Sequence, residues 1–392
     1  MKKKLVAAVV AFGLALGGAE AAARLFVLPD SRLVWRPLLP FGAVTNEAQR
    51  GWIRRQRALE SGEGEAGPGL FDPELGWSYR APSKSDDGAI HISARGTRGA
   101  REYADRPADD VLRVVAFGDS FTFCEEVRDE HSWPAVVESE LEGVELLNFG
   151  VGGYGTDQAL LRWRTVDPGE RVDVVLVGLL LENIGRNVNR YRPRWYPRAD
   201  SAVVKPRFVL EGEGLRLLPA PYRTRRELLD AVESGAVLAD TAEGEYWGPG
   251  LGGPLAHSAV ARLVAAELAY GERELAPLWA DVEGEPYRVT LRVLETFHAE
   301  ALARGARAFA VLVFPTHDDL ASLGAGGPRY WDTLGAGLAE RGIEYLDLSL
   351  VLEESAAEAG APPLYLKSHL SPRGNAAVAR RVAAWLRDVV AR

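Results

Sequence analysis

One short stretch constrains the fold of this chain more than any other. Residues 111–117 are β-branched and almost wholly apolar, which predicts a strand buried on both faces of a parallel sheet. Gly118-Asp119-Ser120 then ends the run. Because open α/β sheets carry their chemistry just beyond the carboxyl ends of central strands, Ser120 is a candidate nucleophile.

Short apolar strands that end in polar or glycine-rich turns recur downstream. Strands are predicted over 144–148, ending in the glycine-rich turn 149–156, and over 172–181, ending at Glu182-Asn183. Helical segments separate them, which is typical of a doubly wound sheet. We therefore predict an α/β fold with three α/β/α layers around a central, mostly parallel sheet. Its second half is predicted as a helix over 287–304, a strand over 308–314, a loop over 315–319, a helix over 330–341, a strand over 345–348 and a helix over 372–390.

The alternation stops between about residues 191 and 286, where we predict an inserted subdomain that covers the carboxyl edge of the sheet. Helices are predicted within it over 225–237 and 256–270, and the Gly-rich stretch 61–69 has the composition of a linker. The predicted segments are a signal peptide or membrane anchor (1–28), an N-terminal extension (29–110), the first part of the sheet domain (111–190), the inserted subdomain (191–286) and the second part of the sheet domain (287–392).

The N-terminus has the order of an export signal. Three lysines precede the uncharged, mostly apolar stretch 5–19. Two alternatives remain open, a secretory signal cleaved near Ala19-Glu20-Ala21 and an uncleaved membrane anchor that extends to Leu28. Either one predicts an extracytoplasmic protein, in the periplasm or at the cell surface.

The charge and the cysteine content limit the classes of partner and of covalent cross-link that this chain is expected to have. A net charge of −9 and an isoelectric point near 5.4 argue against a nucleic-acid partner, which usually leaves a basic patch. The single cysteine, Cys124, cannot form an intramolecular disulfide, and a small buried filler is its expected role.

Acyl-transfer chemistry needs a nucleophile, a base that takes its proton, and donors aimed at the oxyanion. We expect the base to be His369, which lies in a loop before the last helix, with Ser371 as the N-cap of that helix. Candidate oxyanion donors are the Ser120 N–H, Gly153 in its glycine-rich turn, and the Asn183 side chain. A metal site at His317, Asp318 and Asp319 is the less favoured alternative, and no metal or cofactor is predicted.

These residues occur in order within four blocks that resemble the SGNH hydrolase family, the GDSL-type esterases and lipases. The blocks are Gly118-Asp-Ser-Phe-Thr122, Asn148-Phe-Gly-Val-Gly-Gly153, Asn183 and His369-Leu-Ser-Pro-Arg-Gly374. The resemblance covers about 111–190 and 287–392, and 92–99 is similar to a segment of N-terminally anchored bacterial members. It implies an SGNH/flavodoxin-like sheet with Ser120 as nucleophile, His369 as base, Ser120 N–H, Gly153 and Asn183 as oxyanion hole, and Asp119 in support.

The chain departs from the family pattern at two places. The family usually has an Asp two or three residues before the His, where this chain has Lys367 and Leu366. Ile184 stands where an Asp commonly follows the Asn. We leave three alternatives open for His369: a Ser–His dyad, a backbone carbonyl or distant carboxylate that holds the imidazole, and a degenerate, weakly active site.

The resemblance and the N-terminus together predict an exported, membrane-anchored serine esterase. Its expected substrate is an acylated carbohydrate or lipid outside the cytoplasm, with O-acetyl groups preferred. Two alternatives remain open, acyl transfer to a polysaccharide by the same residues and a non-catalytic glycan-binding protein on the same scaffold.

Overall fold

The computed structural model describes residues 2–26, 47–63, 69–196, 199–247, 258–261, 264, 274–358 and 360–391. Contacts divide the chain into two compact units. The sheet unit comprises 66–188, 206–218 and 275–392, and the second unit comprises 1–65, 189–205 and 219–274. The predicted domain boundaries stay predictions, although the extension after residue 66 and the hairpin at 206–218 group with the sheet.

The strands and helices of the two units are numbered here in chain order. The strands are β1 (Gly69–Asp72), β2 (Gly76–Tyr79), β3 (Ser83–Lys84), β4 (His91–Ile92), β5 (Leu112–Phe117), β6 (Val144–Asn148), β7 (Val174–Leu180), β8 (Arg207–Glu211), β9 (Gly214–Leu218), β10 (Ala308–Phe314) and β11 (Glu344–Asp347). The helices are α1 (Lys2–Phe26), α2 (Glu47–Ser61), α3 (Ser120–Phe123), α4 (Trp133–Glu140), α5 (Thr156–Thr165), α6 (Asn183–Arg186), α7 (Arg192–Trp195), α8 (Arg225–Ser234), α9 (Val237–Asp240), α10 (Leu275–Ala280), α11 (Glu285–Ala303), α12 (His317–Gly324), α13 (Asp332–Glu340), α14 (Ser349–Ala356) and α15 (Pro372–Ala391).

The sheet is parallel, with strand order β11–β10–β7–β5–β6. Strand β5 lies between β6 and β7, so its Val115 faces Leu147 on one side and Val175 on the other. The chain leaves β5 for β6 and then returns past β5 to β7, which makes the end of β5 the point where the strand order reverses. The predicted three-layer α/β fold is confirmed.

Alternate side chains of β5 enter two different helix layers, as the two-residue period of a strand requires. Val114 and Ala116 join a core that includes residues of α4 and α15. On the opposite face, the Phe117 ring stacks on Phe149 at 5.0 Å between ring centroids. The same ring meets Trp163 of α5 and Phe297 of α11 edge-on. All six residues of β5 are buried, and all but Arg113 are apolar, as expected for a strand covered on both faces.

The strands and helices predicted over 111–190 and 287–392 are confirmed, but no pattern predicts strands β1 to β4 or helix α14, and one predicted loop is wrong. Residues 315–319 are predicted as a loop, but α12 begins at His317. The reason is a reciprocal cap, because the Thr316 hydroxyl accepts from the Asp319 N–H and the Asp319 carboxylate accepts from the Thr316 N–H at 2.8 Å. The predicted N-cap of α15 is confirmed, since the Gly374 N–H donates to Ser371 Oγ at 3.2 Å.

The second unit contains α1, α2 and helices α7, α8 and α9 of the insertion, whereas α10 belongs to the sheet unit. Within it, Gln49 of α2 donates to the Ala199 carbonyl at 3.0 Å, and Arg57 pairs with two carboxylates of α8. Most of the predicted helix over 256–270 and of the linker over 61–69 lies outside the described residues. Among the described helices, none combines the length and hydropathy needed to cross a bilayer.

A close approach joins β5, α3 and β7. A Cβ on Gly178 of β7 would lie 2.0 Å from Thr122 Oγ1, and a Cβ on Gly118 would lie 2.2 Å from the same atom. Thr122 is fully buried, and its hydroxyl has no hydrogen-bond partner in the part of the chain that the structure describes. The two glycines therefore make room for a side chain whose hydroxyl is desolvated without compensation.

We predict opposite effects on stability for two substitutions at this contact. Thr122→Val replaces the unpaired hydroxyl by a methyl group and should raise the free energy of unfolding by about 1 kcal/mol. Gly178→Ala overpacks the same space and should lower it by about 2 kcal/mol. Urea denaturation measures both, and a loss of stability in Thr122→Val would contradict this account of the contact.

Candidate active site

The carboxyl ends of β5, β6 and β7 bring three predicted site residues to one edge of the sheet. Ser120 follows β5 and is the first residue of α3, whose N-cap is Asp119. Neither the N–H nor the hydroxyl of Ser120 has a hydrogen-bond partner among the described residues. The Ser120 residue is only 5% exposed, so it lies in a recess of the surface.

Asp119 holds the end of β5 to the end of β7. Its Oδ1 accepts from the Phe121 N–H at 2.9 Å, and its Oδ2 accepts from Asn183 Nδ2 and from Arg186 Nη1, each at 3.1 Å. Complete burial raises the pKa of the Asp119 carboxyl, and the Arg186 guanidinium opposes that rise. These contacts fix the start of α3 and with it the backbone of Ser120.

Asn183 is buried and fully engaged. Its Oδ1 accepts from the Leu180 N–H at 3.1 Å, and its Nδ2 donates to Asp119 and, at 3.3 Å, to the Tyr154 carbonyl. To donate to an oxyanion, the amide must give up the longer bond to Tyr154. The oxyanion role of Asn183 stays a prediction.

Gly153 lies in the turn after β6, in the left-handed region with φ +78°. The preceding Gly150 packs directly on α3, because a Cβ there would lie 2.4 Å from the Phe123 nitrogen. Asn148 strengthens this contact by donating from Nδ2 to the Thr122 carbonyl at 2.7 Å. The glycine-rich turn therefore lies against the helix that begins with Ser120, and the oxyanion role of Gly153 stays a prediction.

His369 comes to the same edge from the loop before α15. Its ring lies 5.2 Å from the Phe121 ring between centroids, and its side chain is 14% exposed. Asn375 fixes this loop by donating to the Leu370 carbonyl at 3.0 Å and accepting from the Trp133 N–H at 3.1 Å. The structure thus brings His369 beside the residue that follows Ser120, although the imidazole and the Ser120 hydroxyl are not hydrogen-bonded to each other.

Two carboxylates that the sequence analysis missed flank the imidazole. Glu126 Oε1 lies 3.3 Å from His369 Nδ1, and Glu125 Oε2 lies 3.6 Å from Nε2. Both belong to residues 123–127, which we call the nucleophile loop. The only sequence signal for them is a pair of glutamates shortly after Ser120, and no spacing rule connects that pair to a histidine near the C-terminus.

Arg98 holds the nucleophile loop in an uncommon conformation. Cys124 and Glu126 adopt positive φ angles of 64° and 72°, which cost about 1–2 kcal/mol per residue outside glycine. The Arg98 side chain is 1% exposed and pairs through Nε with Asp129 at 3.1 Å. Its terminal nitrogens donate to three carbonyls of the loop, those of Phe123, Cys124 and Val127.

The other candidate residues have structural surroundings. Burial raises the pKa of the Cys124 thiol to about 12, so the thiol is neutral and its predicted role as a filler is confirmed. Asp319 caps α12 and accepts from the Tyr330 hydroxyl at 2.6 Å. In the described ranges, no three His, Cys, Asp or Glu side chains lie close enough to hold a metal ion.

We predict that Arg98→Lys unfolds the nucleophile loop at a measurable cost. A lysine lacks the planar fork that reaches three carbonyls and Asp129 together, so buried acceptors lose their partners. The free energy of unfolding should fall by about 3 kcal/mol in urea denaturation. Arg95→Lys is the matched control, because Arg95 pairs with the well-exposed Asp105 and Asp167 and should change stability by under about 1 kcal/mol. Equal losses of stability in the two variants would contradict the claim that Arg98 holds the nucleophile loop in its conformation.

Comparison with protein-family models found no match, and comparison with curated proteins found none either. Among solved structures, a protein titled as a putative lipolytic protein of the G-D-S-L family from Desulfitobacterium hafniense is similar, with 13% identity, a TM-score of 0.34, and coverage of 69% of this chain and 98% of that one. An acetylxylan esterase from Geobacillus stearothermophilus has 14% identity, a TM-score of 0.34, and coverage of 71% and 94%. A G-D-S-L family member from Veillonella parvula has 13% identity, a TM-score of 0.31, and coverage of 69% and 95%. TM-scores this low carry no inference about the chemistry of this chain.

Proposed function

We propose that this protein is a serine ester hydrolase in which Ser120 is the nucleophile and His369 the base. The observation that carries the proposal is the convergence of two groups at one edge of the sheet. One is Ser120, whose hydroxyl has no hydrogen-bond partner among the described residues, and the other is an imidazole that has carboxylates on both sides. The Phe121–His369 ring contact at 5.2 Å brings the base beside the nucleophile's helix. Nucleophile, base and orienting acid are the groups that acyl transfer requires.

The chemistry follows from these positions. Ser120 Oγ attacks the ester carbonyl carbon, and His369 Nε2 accepts the hydroxyl proton. The Ser120 N–H stabilises the oxyanion, with Gly153 and Asn183 as the further proposed donors. Collapse of the tetrahedral intermediate breaks the bond to the alcohol, which leaves with the proton from Nε2. Water then attacks the acyl-enzyme and gives a proton to Nε2. Collapse of this second tetrahedral intermediate breaks the bond between the acyl carbon and Ser120 Oγ, the acid leaves, and Nε2 returns the proton to Oγ.

The proposed substrate is an ester, by preference O-acetyl, on a carbohydrate or lipid outside the cytoplasm. The proposal of export rests on the lysines that precede the apolar stretch 5–19. The acetyl preference rests on the predicted location and on the resemblance in sequence. Release of acetate from an acetylated polysaccharide would support hydrolysis, whereas incorporation of labelled acetyl into the polysaccharide would support transfer.

We predict that a fluorophosphonate probe labels the full-length protein at Ser120. Ser120→Ala should abolish labelling, and His369→Ala should slow it by about a thousandfold because the base is lost. Ser139→Ala is the control, since Ser139 lies on the exposed surface of α4 and donates to the Val136 carbonyl of its own helix, and its labelling rate should equal that of the wild type. Hydrolysis of p-nitrophenyl acetate should follow the same order.

The outcomes separate the candidate functions. No labelling of folded wild-type protein would contradict the hydrolase proposal. Binding of a polysaccharide that survives Ser120→Ala, together with no turnover, would instead support the glycan-binding alternative.

A further inference from the structure

The two positions before His369 at which the family pattern has an orienting acid hold no acidic residue. Leu366 is apolar and 46% exposed, and Lys367 carries a cation that repels an imidazolium. Neither side chain can accept a hydrogen bond from an imidazole N–H. A serine site without an orienting carboxylate loses several orders of magnitude in rate, so a group that replaces it has a large effect.

Glu126 reaches the nitrogen that such a group must contact. Its Oε1 lies 3.3 Å from His369 Nδ1 and accepts from the Ser368 hydroxyl at 3.0 Å. Ser368 Oγ itself lies 3.1 Å from Nδ1. Because the hydroxyl hydrogen points to Glu126, the oxygen presents a lone pair to the imidazole. Nδ1 thus faces two acceptors, which favours the tautomer with the proton on Nδ1 and leaves Nε2 unprotonated.

The second oxygen of Glu126 fixes the histidine loop itself. Glu126 Oε2 accepts from the backbone N–H groups of Lys367 at 3.0 Å and of Ser368 at 3.4 Å. The loop is closed by the Leu366 N–H, which donates to the His369 carbonyl at 2.8 Å. Burial raises the pKa of Glu126, but hydrogen bonds from His369 and Ser368 outweigh it and hold the pKa below its ordinary value. Glu126 is therefore ionised at neutral pH.

Glu125, the neighbouring carboxylate, contacts the other nitrogen. Its Oε2 lies 3.6 Å from Nε2, the atom that must accept the serine proton. A carboxylate there is attracted to the imidazole only when Nε2 carries a proton. Glu125 thus favours the forms with a proton on Nε2, which include the charged product of proton transfer, and it does not favour the neutral tautomer that starts the transfer.

We infer that Glu126 is the positioning residue of this site. From its place in the nucleophile loop it orients His369, which is the role of the acid that the family pattern has before the histidine. The inference rests on the proposed function. It places the nucleophile and the orienting carboxylate on one short segment, from Ser120 to Glu126, and leaves only the base to come from the C-terminal loop.

The test uses the full-length protein and Glu126→Gln, which keeps an acceptor of the same length and removes the charge. The first readout is the ¹⁵N spectrum of His369, assigned with His369→Ala and recorded well above the ordinary imidazole pKa of about 6.5. Wild type should show mainly the Nδ1–H tautomer, and Glu126→Gln a mixture. The second readout is the fluorophosphonate labelling rate, which should fall about 100-fold, less than in His369→Ala, because Glu126 acts only through the imidazole.

Three variants sharpen the result. Glu130→Gln removes an exposed carboxylate that pairs with Arg128, and it should leave both readouts unchanged. Glu125→Gln should leave the Nδ1–H tautomer dominant. Glu126→Asp keeps the charge and should retain the tautomer and more of the rate than Glu126→Gln, and it replaces Glu126→Gln in the test if that variant fails to fold.

The inference is overturned if Glu126→Gln leaves the tautomer and the labelling rate unchanged, or if Glu125→Gln shifts the tautomer instead. Failure of the proposed function has a different signature. In that case wild type is not labelled, while the ¹⁵N spectrum still reports whether Glu126 orients His369.

Discussion

The geometry of the candidate site depends on the hydrogen bonds that the Arg98 guanidinium donates to the nucleophile loop. The nucleophile loop holds two non-glycine residues at positive φ, a conformation that the loop would not keep alone. Arg98 offsets this strain by donating to three of its carbonyls from a buried position and by pairing with Asp129. Because the loop carries Glu125 and Glu126, these contacts of Arg98 also determine where the two carboxylates lie relative to the imidazole.

A second buried charge fixes the other side of the site. Asp119 accepts hydrogen bonds from the start of α3 and from Asn183 and Arg186 beyond β7. Arg186 is in turn bonded to Glu182 at 2.8 Å. Removing one member of such a buried network leaves another charge unpaired, which is far more costly than losing a surface ion pair. The buried hydrogen bonds of Asp119 thus hold the ends of β5 and β7 in fixed positions around Ser120.

The sequence predicts those parts of the molecule that local chemistry controls. The apolar runs of β5, β7 and β10, the cap at Ser371 and the helix that follows it all depend on neighbouring residues, and all are confirmed. The helix at 317–324 was missed because a reciprocal Thr316–Asp319 cap outweighs the loop composition of Pro315 to Asp319.

The orienting carboxylate could not be predicted in this way. Ser120 and His369 each stand beside a recognisable turn or helix start. Glu126 faces His369 for two reasons. The fold places the loop before α15 beside the nucleophile loop, and Arg98 holds the nucleophile loop in a conformation in which Glu126 has a positive φ. No residue near Glu126 in the sequence signals either condition. Of the alternatives for His369, a distant carboxylate is the one that the geometry favours.

A crystal structure of the protein after reaction with a diethyl phosphate ester would test the central claim most directly. We expect phosphorus bonded to Ser120 Oγ and a phosphoryl oxygen about 3 Å from the Ser120 N–H. His369 Nε2 should face the phosphorylated oxygen while Nδ1 remains on Glu126. Phosphorylation of another residue, or an imidazole turned away from Glu126, would contradict it.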